Sequence, residues 1–370
     1  KRIRYPCKDM RGGVHDADVL RRRRIEAINK GMNYLHKFFK KNSYAALYDV
    51  GDDAPSIFFE IWYTCGNSTI RSRAKRMAVH LTAKVETHML RNRADEHDIV
   101  KQRGEFFALM FLLRSMHEMG MDVDDVTEAA DEVFERKDFK DTSRLFGCSK
   151  LNLAHVSTAA WLELLVRILI MDYNNMLFAK QWPTTYCLKD AFAVLRTHKL
   201  SGPPMDHKMH FQDSFYLATH IVYACSAYSG VKTAEADVPW LYKYIRKAFS
   251  FWMGEARKKR KDDSVYVDVD GVGEALENLK GAGLTEVTDA MVCEGTLWVL
   301  ETQLPDGSWP VWFEGSEASD QHDNYDLMHA TWVCTQALRD RDFKVNEDCV
   351  RQWRVYVQRI IRESLLDSRG

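Results

Sequence analysis

The sequence predicts an all-α protein, an (α/α)6 toroid in which six inner helices are ringed by six outer ones. Three observations support this fold class. Apolar residues recur at helical spacing through nearly the whole chain, helices with one apolar stripe alternate with helices that are apolar on every side, and strand-like alternation is confined to about residues 264–269. A helix that is apolar all round must be surrounded by protein, whereas a helix with one apolar stripe belongs outside it.

The elements follow as six outer–inner hairpins and one last helix. The predicted outer helices are 16–40, 69–92, 122–139, 188–200, 238–252 and 286–301. The predicted inner helices are 56–65, 104–119, 155–171, 213–228, 268–279 and 323–338, and a final amphipathic helix covers 347–365. Glycines such as Gly66, Gly120 and Gly230 mark helix ends. An open α-solenoid of the same hairpins is the alternative that the sequence leaves standing.

A single domain is predicted over residues 16–370, after an N-terminal extension of residues 1–15. The chain has 370 residues, 46% of them hydrophobic, which suffices for one large core. The best boundary signal, at residues 202–204, falls between the two members of one hairpin. Because the chain begins with Lys1 rather than Met, we expect a trimmed protein or a piece of a longer one, whose other domains are then among its partners.

Composition excludes several classes of function. The net charge of -1 offers no argument for nucleic acid. The eight cysteines are scattered without a C-x-x-C pair, which predicts buried free thiols in a reducing, cytoplasmic compartment. The longest apolar run, residues 156–171, contains Glu163 and Arg167, so no membrane span is predicted. No signal peptide is recognisable.

Residues 303–309 form the most informative stretch, Gln303-Leu304-Pro305-Asp306-Gly307-Ser308-Trp309. Pro, Asp and Gly are turn residues, so the stretch predicts a stapled corner between two helices, with Gln303 capping a helix end and Trp309 stacking over the corner. The Gln-x-x-x-Gly-x-Trp pattern resembles the repeat of terpene and squalene cyclases, which are built on a toroid of helical hairpins. Asp326-x-x-His329-x-x-Trp332 is similar to the segment that carries the zinc-binding histidine in protein prenyltransferase β subunits, of the same superfamily. The resemblance covers about residues 303–338.

The resemblance has consequences for chemistry. It implies that His329 is a zinc ligand and that an Asp and a Cys, two residues apart on an earlier helix, complete the set; Asp289 and Cys293 are four apart and do not match that spacing. For a cyclase it implies an acidic D-x-D-D whose central Asp protonates an alkene. Residues 122–125 match as a string, but a polar helix follows them, and acids at a helix start are ordinary capping residues.

Titratable groups on the predicted inner helices are the candidate site residues. Burying an unpaired charge is costly, so such groups are normally paired, bound to a metal or functional. Tyr216 and Tyr223 share a helix face with His220. The group consists of Glu60, Glu105, His155, Asp213, His220, Asp270, Glu274, Asp326 and His329.

The spacing of these groups suggests how they act. Asp326 and His329 are three residues apart, and Asp270 and Glu274 are four apart, so each pair shares a helix face. We predict that His220, His329 and Asp270 bind a divalent metal, Zn, Fe or Mn. The predicted catalytic residues are Asp270, Glu274, Asp326, Tyr216, Glu60 and Glu105.

The predicted function is an enzyme that acts on a small, largely apolar, isoprenoid-like molecule in the toroid cavity. Cyclisation, isomerisation or elimination by acid/base or metal-assisted chemistry would suit such a site. Trp298, Trp309, Trp312 and Trp332 are candidates to line the cavity. The alternative is a non-catalytic helical-repeat binding module, in which each histidine is a core residue satisfied by backbone or Tyr groups.

Overall fold

The computed structural model describes residues 14–41, 56–94, 98–136, 139, 141–148, 157–178, 182, 184–203, 208–259, 267–313, 324–344 and 348–366. Its helices are α1 (Val14–Lys41), α2 (Ser56–Thr64), α3 (Ser68–Arg91), α4 (Ile99–Met119), α5 (Asp124–Phe134), α6 (Ser143–Phe146), α7 (Thr158–Leu177), α8 (Leu188–Leu195), α9 (Lys208–Ser226), α10 (Pro239–Lys259), α11 (Val269–Gly281), α12 (Ala290–Thr302), α13 (Asn324–Ala337) and α14 (Asp348–Leu366). Strands β1 (Val267–Asp268) and β2 (Trp312–Phe313) form one antiparallel pair.

The predicted all-α class is confirmed. Each predicted helix has a counterpart whose ends differ by up to seven residues, and β1 lies where the sequence shows strand-like alternation. Helix α6 is not predicted, because four residues carry too little periodicity. No helix of the described residues is long and apolar enough to cross a membrane. The closing of the hairpins into a ring stays a prediction.

The chain divides into two compact units. Unit 1 comprises residues 1–49, 64–72 and 232–342, and unit 2 comprises residues 50–63, 73–231 and 343–370. The prediction of a single domain over residues 16–370 stays a prediction. Gly202, at the best boundary signal of the sequence, lies inside unit 2.

Unit 1 is organised around α11, all thirteen residues of which are buried. Helices α10, α12 and α13 each pack against α11, and α1 packs against α13. Because every residue of α11 is buried, other parts of the protein must surround this helix on every side. The polar residues of α11 are therefore held inside protein, where each needs a partner.

The corner at residues 303–309 is stapled, as predicted, but by different contacts. Gln303 Nε2 donates to the backbone O of Ala27 in α1 and of Gly307, both at 3.0 Å. The end of α12 is satisfied by Trp309, whose Nε1 donates to the backbone O of Val299 at 2.7 Å. Trp309 is fully buried. Gly307 has φ 97°, and a Cβ there would lie 2.6 Å from a backbone oxygen of α1, so only glycine fits the turn.

Two buried charge networks lie in unit 1. Glu286 contacts Lys280 Nζ at 3.1 Å and Arg24 Nη1 at 3.3 Å. Burial lowers the pKa of Lys280 to about 8, while the charges of Lys280 and Arg24, acting against burial, lower that of Glu286 to about 2. In the second network Glu277 Oε1 accepts from Arg339 at 3.1 Å and from Arg341 at 2.7 Å. Both networks pair each charge with its opposite, which burial demands.

Unit 2 has a buried arginine in its core. Arg114 of α4 is 2% exposed and its Nη2 donates to the backbone O of Ala227 at 3.1 Å. Residues 227–229 have φ values of 47°, 53° and 67°, a left-handed conformation that is costly for residues other than glycine. The bond from Arg114 helps to hold this turn. The guanidinium lies over three rings, those of Phe59, Tyr173 and Tyr228, at 5.4, 4.9 and 4.9 Å.

Around this arginine, α4 packs against α5 and α7, and α7 also contacts α8, α9 and α14.

The described cysteines, all but Cys7, are free thiols, as predicted. Cys65, Cys225, Cys293 and Cys334 are buried, and Cys148, Cys187 and Cys349 are partly exposed.

Candidate metal and acid–base site

The start of α11 positions the first acidic group of the candidate site. Asp268, at the end of β1, caps the helix, and its Oδ1 accepts from the backbone N of Gly271 at 2.9 Å. The short β1–β2 pair and this cap fix where α11 begins. Asp270 therefore lies in the first turn, and it is 9% exposed.

Close packing of α13 on α11 brings the histidine to Asp270. At Gly273 a Cβ would lie 2.8 Å from Cγ1 of Val333 and 3.3 Å from Sγ of Cys334, so a larger residue would force the helices apart. His329, one turn before Val333, has its Nδ1 3.0 Å from Oδ1 of Asp270. The two side chains are 16% and 12% exposed.

Glu274 completes the cluster. It lies one helical turn after Asp270 on the same face of α11 and is 2% exposed. One oxygen of each carboxylate and one imidazole nitrogen of His329 all lie within 4.8 Å of one another. Among the described residues, Asp270, Glu274 and His329 are the group of three or more possible metal ligands that comes this close together.

Aromatic rings enclose His329 on two sides. Tyr325 stacks on the imidazole at 5.1 Å between ring centroids, and Trp332 meets it edge-on at 5.4 Å. The indole Nε1 of Trp332 is buried, and no hydrogen-bond partner for it lies among the described residues. A buried N–H without an acceptor is uncommon and costs free energy.

Cys334 lies next to the cluster but is not a member of it. Its Sγ is 3.8 Å from the backbone O of Val269. Burial, followed by the charges of Asp270 and Asp268, raises the pKa of this thiol well above its usual value. The three groups of the cluster are two carboxylates and one imidazole.

The prenyltransferase resemblance implied an Asp and a Cys two residues apart on an earlier helix. The carboxylate that lies beside His329 is Asp270, and the residue two positions later is Val272 rather than Cys. Asp289 instead caps α12 and pairs with Arg246 at 2.7 Å. The group that lies beside His329 thus differs from the ligand set that the resemblance implies, with Glu274 as a second carboxylate.

His220 belongs to unit 2 and has its own partners there. Its Nδ1 lies 2.8 Å from the backbone O of Tyr216, and its ring meets Tyr223 edge-on at 5.3 Å. The predicted sharing of a helix face with Tyr223 is confirmed. The predicted metal ligation by His220, the catalytic role of Tyr216, and the convergence of His220 and His329 on one ion stay predictions.

The other predicted site residues lie apart from the cluster of three. Asp326 is partly exposed at the start of α13 and is not a member of it. Glu105 pairs with Arg93 and accepts from the backbone N of Ala94 at 3.1 Å. Glu60 is 7% exposed, and its charge acts on Arg114. Their catalytic roles stay predictions, and His155 lies outside the described residues.

The remaining acidic motif lies at the start of α5, whose N-cap residue is Val123. Asp122, Asp124 and Asp125 are exposed at the start of α5, and Oδ1 of Asp122 accepts from the backbone N of Asp124 at 3.1 Å.

Tyr325 is the site residue that sequence reasoning missed. Its position four residues before His329, on the same helix face, is the signal that could have found it.

No protein-family model matches this chain, and no match was found among curated proteins or among solved structures. The resemblance at residues 303–338 therefore rests on the residues of the sequence alone.

Proposed function

We propose that this protein is an enzyme that acts on a small, largely apolar molecule at the Asp270–Glu274–His329 cluster, by metal-assisted or acid/base chemistry. The observation that carries the proposal is the approach of these three groups within 4.8 Å, on helices that are largely buried. Charged groups are costly there unless they are paired, metal-bound or functional. The rings of Tyr325 and Trp332 supply apolar surface beside the cluster.

The donor set fits a divalent metal. Two carboxylates and one imidazole suit Zn, Fe or Mn, and three protein ligands leave further coordination positions open. Two ligands at about 2.0–2.1 Å from one ion lie roughly 3.0–3.4 Å apart in octahedral or tetrahedral geometry. The 3.0 Å between Asp270 and His329 is compatible with that spacing. When bound, such an ion would polarise a substrate oxygen or activate water.

The same contact also supports a second, metal-free function. If His329 Nδ1–H donates to Asp270, the carboxylate fixes the tautomer and leaves Nε2 as a proton acceptor. Asp270 then holds the imidazole in place and stabilises its protonated form. Glu274 would supply a second carboxyl group for proton transfer. The hydrogen-bond distance is the specific observation in favour of this alternative.

Metal titration separates the two functions. Protein stripped with a chelator would be titrated calorimetrically with Zn²⁺, Fe²⁺ and Mn²⁺, next to Asp270→Asn, Glu274→Gln and His329→Ala. We expect one ion per chain and a loss of affinity of at least roughly tenfold to a hundredfold in each variant, since even outer-shell changes cost that much. Equal binding by the wild type and the His329→Ala variant would overturn the metal site.

Two controls sharpen the titration. Asp326→Asn removes a nearby carboxylate of α13 that is not in the cluster, and it should leave the affinity unchanged. His220→Ala tests the prediction that His220 shares the ion. Circular dichroism of every variant establishes that it is folded.

The substrate class needs its own assay. Wild-type protein would be incubated with isoprenoid alcohols and isoprenoid diphosphates, with and without the ion that binds, and the products separated by gas chromatography. We expect turnover that Asp270→Asn abolishes. If a metal-loaded protein converts none of them, the isoprenoid-like substrate is wrong. A non-catalytic binding module would bind such molecules unchanged.

The ring of hairpins predicted from the alternation of outer and inner helices would suit this function. A closed toroid would enclose the substrate and exclude water from the cluster. Small-angle scattering that shows an elongated particle would contradict the ring and favour an open solenoid.

A further inference from the structure

A concave pocket of about 370 Å³ lies in unit 2, between α4, α6 and α7. Basic, apolar and small residues line it together. They are Arg103, Phe146, Gly147, Cys148, Ser157, Ala160, Glu163, Leu164 and Arg167. Its volume falls in the range of about 300–1,000 Å³ that is usual for sites that bind small molecules.

Arg103 brings a positive charge to this pocket. Its Nε donates to the backbone O of Arg144 at 3.0 Å, and no carboxylate forms an ion pair with it among the residues that the structure describes. Burial, and then the charge of Arg167, lower the pKa of Arg103, while the charge of Glu163 acts in the opposite direction. A partly desolvated cation beside a second cation is stabilised when an anion binds between them.

Arg167 is the second cation. Its side chain is 15% exposed and its guanidinium lies 5.2 Å from the centre of the Phe107 ring. It pairs with Glu163, one turn earlier on α7, whose side chain is 63% exposed. Two arginines and one glutamate leave a net charge of +1 in the pocket, and the glutamate is the more exposed member of its ion pair.

Ser157 adds a hydroxyl at the start of α7. Its Oγ accepts from the backbone N of Ala160 at 3.2 Å, and its O–H proton, which has no acceptor among the described residues, can be donated to a ligand. The N-terminal end of a helix of this length also carries a partial positive charge. Guanidinium, hydroxyl and helix end together resemble the donors that proteins use for phosphate.

We propose that this pocket binds the phosphate group of a small phosphorylated molecule. Two guanidinium groups and a hydroxyl offer more charge and more donors than one carboxylate can accept, whereas a phosphate group accepts several and carries nearly two charges. The rest of the pocket, with Phe146 and Leu164 in its wall, has room for the organic part. This site is independent of the Asp270–Glu274–His329 cluster.

The test is a calorimetric titration of the whole chain with inorganic phosphate and with phenyl phosphate, at constant ionic strength adjusted with potassium chloride. The variants are Arg103→Gln and Arg167→Gln, with Arg103→Lys as a second variant that keeps the charge. Arg354→Gln, which removes an exposed arginine of unit 2 outside the pocket, is the matched control. Alkylation of Cys148 by iodoacetamide, quantified by peptide mass spectrometry, reports on occupancy of the pocket itself.

We expect both phosphates to bind the wild type, phenyl phosphate more tightly. Arg103→Gln and Arg167→Gln should weaken binding roughly tenfold to a hundredfold, the value of one or two charged hydrogen bonds. Arg103→Lys should bind with intermediate affinity, Arg354→Gln should match the wild type, and phosphate should slow alkylation of Cys148. Binding that survives Arg103→Gln in a folded protein, or a response to acetate that equals the response to phosphate, would overturn the proposal.

Discussion

Asp172 of α7 predicts an unusual dependence of stability on pH. Its Oδ2 accepts from the backbone N of Leu188 and from the hydroxyl of Tyr356, both at 2.7 Å. Burial raises the pKa of this carboxyl to about 6, against the two hydrogen bonds, and the charge of Asp190 adds to the increase. The native state therefore holds this proton up to a higher pH than the unfolded chain does.

The sign and size of the effect follow from linkage. The usual pKa of 3.8 and the value of about 6 differ by roughly two units, each worth about 1.4 kcal/mol, so the ionised carboxylate costs the native state about 2–3 kcal/mol. Below pH 4 the group is neutral in both states and costs nothing. As the pH rises from about 4 to about 6, this contribution to stability is lost, and above pH 6 the loss is complete.

The variant that tests this is Asp172→Asn. One amide oxygen can accept both hydrogen bonds that Oδ2 accepts, and no charge is buried. We expect the variant to exceed the wild type by about 2–3 kcal/mol in free energy of unfolding at pH 7, and to match it near pH 4. Urea denaturation followed by circular dichroism between pH 4 and pH 8 measures the difference.

Two further variants make the result specific. Tyr356→Phe removes a hydrogen bond that lowers the pKa of Asp172, so the pH at which stability is lost should move upward. Asp348→Asn, which removes an exposed carboxylate of unit 2, controls for the change in net charge. An Asp172→Asn variant that is less stable than the wild type at pH 7, or a difference that does not change with pH, would refute the reasoning.

Two predictions concern unit 1. Trp309→Phe should lower the free energy of unfolding by about 1–2 kcal/mol, since it removes the indole hydrogen bond to the end of α12 while most of the ring packing remains. Any activity should fall only through unfolding. A stable but inactive variant would contradict a structural role for Trp309. Arg339→Met should cost about 3–5 kcal/mol, because Glu277 loses one of its two buried partners, and urea denaturation at pH 7 measures this. The pKa of Glu277, which the arginines lower against burial, should rise in the variant, so its stability should fall at a higher pH on acidification than that of the wild type.

The helices could be predicted from sequence because periodicity records which face of each helix is buried. Residues 213–228 and 323–338 were predicted as helices apolar on every side, and α9 and α13 cover most of those ranges. The corner at 303–309 was predicted from turn residues, which act locally. The contacts of this corner could not be predicted, because Gln303 bonds to a residue 276 positions earlier in the chain.

The candidate site was only half predictable. Asp270 and Glu274 share a face of one helix, and spacing alone shows that. The same kind of spacing puts Asp326 on the helix face of His329, yet the carboxylate that lies 3.0 Å from its Nδ1 is Asp270, 59 residues earlier. The approach depends on Gly273, where the absence of a side chain lets α13 pack closely on α11.

The sequence by itself thus determined where the helices lie, which of them are apolar on every side, and which types of side chain are available for chemistry. Only the tertiary structure decided which of those groups meet. Helical periodicity depends on neighbours three and four residues apart, whereas a site depends on the distance between helices and on which residues face each other across it. Asp270 with His329, and Arg103 with Arg167, are pairs that only this packing brings together.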